Sequence, residues 1–302
     1  MVLATHSGLK AATSPFSLDA EAEYDRWRAD KLRHYPSSIE ALIVEIRDPM
    51  TLQPAEHDAI VSRIRRANMA IYAAPAALGE NKAVPRELGR QFGLTHLDGN
   101  LLADDDAISS LTVANGAPRR DFIPYTNSAI KWHTDGYYNP PENRVQAMVL
   151  HCVRPALQGG ANQLLDHEMA YLLIREHEPE YIRALMAPDV MTIPARAEDA
   201  GIARPAQAGP VFSVTPEGRL HMRYTARTKS IEWKDDALTK AAVAFLEALL
   251  ASDLPYIFRG RLEAGQGLIC NNVLHDRSGF KDDEARPRLL YRARYHERIA
   301  GS

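Results

Sequence analysis

Between residues 123 and 295 the sequence falls into short apolar runs separated by Gly, Pro and Asn. This texture constrains the fold most, because runs this short, bounded by turn residues, suit strands and are too brief for helices. They cover 129–132, 145–153, 162–165, 210–214, 220–224, 256–262, 267–270 and 288–295. Two of them, 210–214 and 220–224, are joined by Thr215-Pro216-Glu217-Gly218-Arg219, which has the turn chemistry of a hairpin. Many short strands with such punctuation point to a barrel or sandwich.

Helical spacing appears around and within this region. Ser17 is an expected N-cap for a helix through Asp19, Glu21, Tyr24, Trp27 and Leu32, and Pro36 lies beyond its end. Strands are expected at 41–46 and 69–73, helices at 54–67 and 87–92, and two helical insertions at 167–186 and 235–251, the latter behind an Asp235/Asp236 cap. No repeat, low-complexity tract or linker divides the chain. The expectation is a loose tail over 1–16 and one domain over 17–302, mainly β with α, in which helices flank a double-stranded β-helix (jelly-roll) core.

Hydrophobic residues make up 45% and charged residues 25%, the proportions of a soluble globular protein. The net charge of −3, with acids and bases interleaved, offers no basic stripe to neutralise a row of phosphates, so nucleic acid is not the expected partner. No apolar run approaches the roughly 20 residues of a spanning helix, and the first residues lack a signal-peptide core. A cytoplasmic protein with a small-molecule substrate and no membrane partner is expected; a homo-oligomer, dimer or tetramer, stays open. Cys152 and Cys270 sit in apolar runs outside any CxxC motif and read as reduced core thiols.

Lys131-Trp132-His133-Thr134-Asp135-Gly136-Tyr137-Tyr138 sets a His and an Asp two apart at a strand end. In an extended chain, residues i and i+2 share a face, so imidazole and carboxylate can converge on one ion. A third ligand must come from elsewhere, and His275 in Asn271-Asn272-Val273-Leu274-His275-Asp276 follows an apolar run 142 positions later. Two imidazoles and one carboxylate leave three octahedral positions open, as in non-haem iron oxygenases. A chelating 2-oxo acid takes two and dioxygen the third. Spacing alone does not decide: His96-Leu97-Asp98 repeats the motif, and a capped turn beside a packed histidine has the same pattern.

A 2-oxo diacid chelated in this way leaves a distal carboxylate that calls for a bidentate cation. Arg288 stands 13 residues after His275, and alternation puts Arg288, Leu290, Arg292 and Arg294 on one face of a strand. If that face points inward, its charge demands an anion; if outward, it is a solvated face. Arg286 competes with Arg288, but Pro287 between them places the strand start at Arg288.

Taken together, Trp132-His133-Thr134-Asp135-Gly136, Gln158-Gly159-Gly160-Ala161-Asn162, Asn271 to His275 and Arg288 to Arg292 resemble the taurine dioxygenase superfamily in order and spacing, over about residues 52 to 295. The segments Gly209-Pro210-Val211-Phe212, Met222-Arg223-Tyr224 and Ile269-Cys270-Asn271-Asn272 look closest to its glutarate 2-hydroxylase and γ-butyrobetaine hydroxylase branches. The resemblance implies a double-stranded β-helix, Fe(II) at His133, Asp135 and His275, 2-oxoglutarate and O2 as co-substrates, and Arg288 on the distal carboxylate. It implies that Asn162 touches 2-oxoglutarate where relatives have a hydroxyl. Asp135 favours hydroxylation over halogenation, because halogenating relatives vacate that position. Arg292 is a candidate for the co-substrate or a substrate anion, and Tyr137, Tyr138, Arg223 and Asp98 for the substrate, with Asp98 suited to an amine. The rival is a metal-binding cupin-like barrel without 2-oxoglutarate turnover, against which Arg288 and Gly159-Gly160 argue.

Overall fold

The apolar runs pair into two main sheets. The structure, a computed structural model, describes residues 14–302 apart from 77–78, 100–103, 115, 117–118, 197–203, 228–230 and 284. With strands numbered along the chain, the larger sheet has the order β1 (Ile43–Glu45), β2 (Met69–Ala73), β14 (Gln266–Cys270), β5 (Ala147–Arg154), β17 (Leu289–Tyr295) and β3 (Ser109–Leu111). The smaller has the order β13 (Phe258–Gly260), β7 (Asn162–Leu165), β15 (Leu274–Arg277) and β4 (Ile130–His133). Short ladders complete the framework: β6 (Gln158–Gly159) with β16 (Phe280–Lys281), β10 (Phe212–Val214) with β11 (Leu220–Met222), and β12 (Glu232–Trp233) with β8 (Met191–Ile193) and β9 (Gln207–Gly209). The β10–β11 pair is the expected hairpin.

The alternation of β17 sorts its side chains between two cores. Leu289, Tyr291, Ala293 and Tyr295 pack with Ile60, Val61 and Ile64 of α2 (Pro54–Ala67) and Leu88 of α3 (Ala83–Arg90). Leu290 packs on the opposite side with Met148, Leu150 and Leu268 of the larger sheet and Leu164 of the smaller. Arg288, Arg292 and Arg294 are buried with it, so the arginine face points inward between the sheets. A 142-residue separation between motifs thereby becomes a short distance in space.

Several helix ends differ from the sequence expectation. The expected helix at 167–186 is two, α4 (His167–His177) and α5 (Pro179–Leu185), because Glu178 precedes a proline and is extended at φ −158°. The α3 helix starts earlier than expected, with Pro85 in its first turn where no N–H is needed. The first helix, α1 (Glu21–His34), has Ala20 rather than Ser17 as its N-cap. Phe16 is buried against Trp27 and Tyr171, so packed chain begins before the expected tail boundary; residues 1–13 of that tail lie outside the described residues. The last helix, α6 (Ala237–Ala251), is capped by Asp236 as expected.

A buried ion cluster fastens α1 to α4. Lys31 Nζ lies 2.6 Å from Asp166 Oδ2 and 2.7 Å from Glu168 Oε2, and Asn68 Nδ2 donates to Asp166 Oδ1 at 2.9 Å. Asp166 is the N-cap of α4. Among the described residues no helix is long and apolar enough to cross a membrane.

Candidate active site

His275 on β15 is the register partner of His133 on β4. Residues directly opposite on antiparallel strands direct their side chains to one face. The two imidazoles therefore lie side by side, with ring centroids 4.2 Å apart. Each Nδ1 is hydrogen-bonded to the carbonyl two residues earlier, His133 to Lys131 at 3.0 Å and His275 to Val273 at 2.9 Å. A carbonyl only accepts, so Nδ1 carries the hydrogen and Nε2 presents a lone pair. Burial, and then His275 beside it, lower the His133 pKa to about 3, which keeps its ring neutral and able to ligate.

Asp135 completes the group, with Oδ1 3.8 Å from His133 Nε2. One ligand atom from each of His133, Asp135 and His275 lies within 4.8 Å of the others. Burial opposes ionisation of Asp135, but the Arg292 and Arg294 guanidiniums outweigh it and hold the carboxyl well below its usual range. Arg292 Nη1 donates to Asp135 Oδ1 at 3.0 Å, while the buried Oδ2 has no hydrogen-bond partner among the described residues. An orphaned carboxylate oxygen beside two imidazole lone pairs fits a divalent cation. Asn272 pins the peptide: it accepts from Asp135 N at 2.8 Å and donates to Asp135 O at 2.9 Å and Val145 O at 2.7 Å. Its own backbone is left-handed, φ 48°.

Arg288 is only 4% exposed, whereas Arg286 is exposed. Its side chain makes no hydrogen bond or ion pair among the described residues, and its guanidinium lies 5.0 Å from the Phe280 ring centroid. Arg277, which sequence reasoning passed over, lies 4.9 Å from the same ring and donates to the carbonyls of Thr126 at 2.7 Å and Ser128 at 2.6 Å. Burial, with Arg288 and Arg292 close by, lowers the Arg277 pKa to about 9. The only sequence signal for it was an arginine two residues past His275, hence on the same strand face. Next to this cluster, Gly159 takes φ 73°, and a Cβ there would stand 2.3 Å from Gly279 O, which excludes any other residue. A cavity of about 320 Å³ lies beside His275 and Asn162, walled by Met148, Leu150, Leu164 and Leu268.

The model of the taurine catabolism dioxygenase TauD, TfdA family matches residues 31–294. The chain belongs to this family. Two curated relatives are uridine-5'-phosphate dioxygenases. The one from a Streptomyces sp is 30% identical over 203 residues, 63% of this chain and 69% of that protein. The one from an Amycolatopsis sp is 33% identical over 177 residues, 55% and 60% respectively. Among solved structures, asparagine oxygenase in complex with Fe(II), 2S,3S-3-hydroxyasparagine and succinate shares the fold at TM-score 0.57 and 15% identity, covering 95% of this chain and 86% of its own. The non-heme iron oxygenase OrfP in complex with Fe, succinate and (3R,4R)-dihydroxy-L-Arg does so at TM-score 0.58 and 14% identity, covering 81% of each chain. This TauD/TfdA protein is an Fe(II)- and 2-oxoglutarate-dependent dioxygenase with a jelly-roll core, and the rival reading of a barrel without turnover is not favoured.

Other residues singled out in this dioxygenase have different employment. Asp98, the candidate for an amine, is bound by Arg294 Nη2 and accepts from Asn139 Nδ2 at 3.0 Å, so its charge is already matched. Arg223, a candidate for a substrate anion, donates from Nε to Tyr137 O at 2.7 Å, from Nη1 to Met191 O at 3.1 Å and from Nη2 to Gln207 O at 2.6 Å. It is a clamp on three backbone segments. Asn162 donates from Nδ2 to Asp276 O at 2.5 Å, which turns its amide toward β15. Tyr137 and Tyr138 are half-buried and meet edge to face at 5.2 Å, and Arg294 donates to the Tyr138 hydroxyl at 3.1 Å. The second H-x-D does not converge: His96 is 79% exposed on its side chain and held by Glu297, while Asp98 faces inward.

Proposed function

We propose that His133, Asp135 and His275 hold the Fe(II) of this dioxygenase and that Arg288 anchors the distal carboxylate of 2-oxoglutarate. The observation that carries this reading is the buried Asp135 carboxylate, its Oδ2 unpartnered among the described residues, grouped within 4.8 Å of two imidazoles whose Nδ1 hydrogens are already committed. When bound, iron with 2-oxoglutarate and O2 supplies the oxidant that removes a hydrogen atom from an unactivated C–H bond, with release of succinate and CO2. The protein's own part is placement. Asn272 fixes the Asp135 peptide, Arg292 orients Oδ1, and Arg288 with Arg277 offers desolvated positive charge to a dianion. Retention of Asp135 supports hydroxylation over halogenation.

The substrate of this reading is a small phosphorylated metabolite in the cytoplasm. The two curated relatives, 30% and 33% identical, are named for action on a nucleoside monophosphate, whereas the amino-acid products held by asparagine oxygenase and OrfP belong to chains at 14–15% identity. Net charge and the lack of a membrane-crossing helix among the described residues support a small molecule over nucleic acid or a membrane. The decisive experiment is anaerobic addition of Fe(II) and 2-oxoglutarate. A weak visible charge-transfer band is expected in the wild type and not in His133→Ala; its absence from the wild type would refute the assignment.

A further inference from the structure

The two sheets carry facing rows of side chains. Directly opposed residues on neighbouring antiparallel strands share a face, and in the larger sheet register runs from Ile71 through Leu268 and Leu150 to Arg292. In the smaller it runs from Phe258 through Leu164 and His275 to His133. Arg292 donates to Asp135, so both rows end at the proposed metal triad. Ahead of that end they are hydrocarbon, with Ile71, Leu268, Leu150, Leu164 and Phe258 in one core cluster.

The rows do not close on each other. The cavity of about 320 Å³ lies against Ile71, Leu268, Leu150 and Leu164 and extends to His275. Its lining also includes Arg259, Arg261 and Glu263, which are exposed, so it opens to solvent beside the edge strand β13. The polar groups around it are committed. Arg259 pairs with Asp253 at 3.1 Å, Arg261 pairs with Glu263 at 2.8 Å, and Asn162 Nδ2 donates to Asp276 O at 2.5 Å.

Arg288 does not line this space, and a dianion resting on its hydrocarbon walls would lose its hydration without gaining a cation. An uncharged apolar molecule suits it, since cavities lined by Leu and Ile stay dry and take up xenon or benzene. Of the two co-substrates, O2 alone is of that class. We infer that this cavity gathers dioxygen and delivers it to the metal past Leu164 and His275. The inference rests on the iron assignment above, which puts the metal at the inner end of both rows.

Xenon and nitric oxide test it separately. In crystals of the Fe(II)-loaded protein under xenon pressure, xenon is expected between Leu164 and Leu268. Nitric oxide, an uncharged diatomic that binds ferrous iron, is mixed anaerobically with protein loaded with Fe(II) and 2-oxoglutarate. Leu268→Trp, which sets an indole into the cavity, should slow its association at least about fivefold, and Leu268→Ala should not. Both variants should keep the visible band and the 2-oxoglutarate affinity of the wild type. Ile71→Trp, farther along the same row from the metal, repeats the test if Leu268→Trp fails to fold. Absence of xenon from the cavity, or association within about twofold of wild type in a folded Trp variant, overturns the inference. Loss of 2-oxoglutarate binding in that variant with nitric oxide association unchanged assigns the cavity to the other co-substrate and overturns it as well. A wild type with neither the visible band nor a nitric oxide adduct would sink the iron assignment and the inference together, whereas the other failures leave the iron assignment standing.

Discussion

His133 and His275, 142 positions apart in the chain, are direct register partners on neighbouring strands, and their rings stand 4.2 Å apart. Because each ring is fixed by the carbonyl two residues before it, removing either leaves the backbone pairing intact. His133→Ala and His275→Ala are therefore expected to abolish iron-dependent succinate formation with little change in melting temperature. His96→Ala, altering an exposed ring, should keep full iron occupancy. Equal iron loss in the His96 and His133 variants, measured by metal analysis, would assign the wrong H-x-D.

Asn272 offers a test of the support behind the ligands. Its amide makes three hydrogen bonds that fix the Asp135 peptide and Val145, and residues of this kind typically contribute about 10–100-fold in metal affinity or activity. Asn272→Ala should lower iron affinity within that range. An unchanged iron titration would show that Asp135 is held by other contacts.

Arg288 separates the co-substrate from the metal. Truncating one partner of a buried charge-assisted pair costs roughly 2–5 kcal/mol, and about 1.4 kcal/mol is a factor of ten. Arg288→Ala should weaken 2-oxoglutarate binding by roughly 30-fold or more while iron affinity stays near wild type. Arg286→Ala, at an exposed position, should change it by less than about threefold. The opposite ranking in side-by-side titrations would move the anchor to Arg286.

Lys31 tests stability away from the site. It is buried between Asp166 and Glu168, and removing one member of a buried ion cluster costs about 3–5 kcal/mol. Lys31→Met should lose that much in urea unfolding; a loss under about 1 kcal/mol would class the cluster with surface pairs. Burial opposes the charge on Glu168, but Lys31, together with His167 and Arg298, more than reverses this and holds its pKa below the ordinary 4.5. A depressed carboxyl contributes stability above its unfolded pKa and loses it as pH falls. Below about pH 4.5 the wild type should therefore lose stability more steeply than Lys31→Met, as acid titration of unfolding would show.

Much of this arrangement was legible because it depends on period. The two-residue alternation of β17 separated Arg288, Leu290, Arg292 and Arg294 from the residues packing on α2, and burial of both sets follows. Pro179 was an available signal for the break between α4 and α5, since the residue before a proline avoids helical geometry. Edge strands such as β3, Ser109–Leu111, carry neither alternation nor apolar length. What the chain order hides is the partner. Asp98 and Arg223 looked like free charges, yet they meet Arg294, 196 positions on, and the Tyr137 carbonyl, 86 positions back. A charge seen alone in sequence says nothing of what neutralises it.

One segment joins the two sheets. Strand β14 lies between β2 and β5 in the larger sheet, Leu268 pairing with Ile71 and Leu150, and β15 lies between β7 and β4 in the smaller. Only Asn271-Asn272-Val273 separates them. During synthesis both sheets stay open along their middles until residues 266–277 emerge, and closing such distant pairings is slow. The same stretch that shuts them delivers His275. A nascent chain stalled short of it would expose the unfilled edges of β2 and β5 and of β7 and β4 to neighbours, a hazard for aggregation, and would lack the third residue of the proposed triad. Iron uptake by the proposed triad would then report that this stretch has taken its place in both sheets.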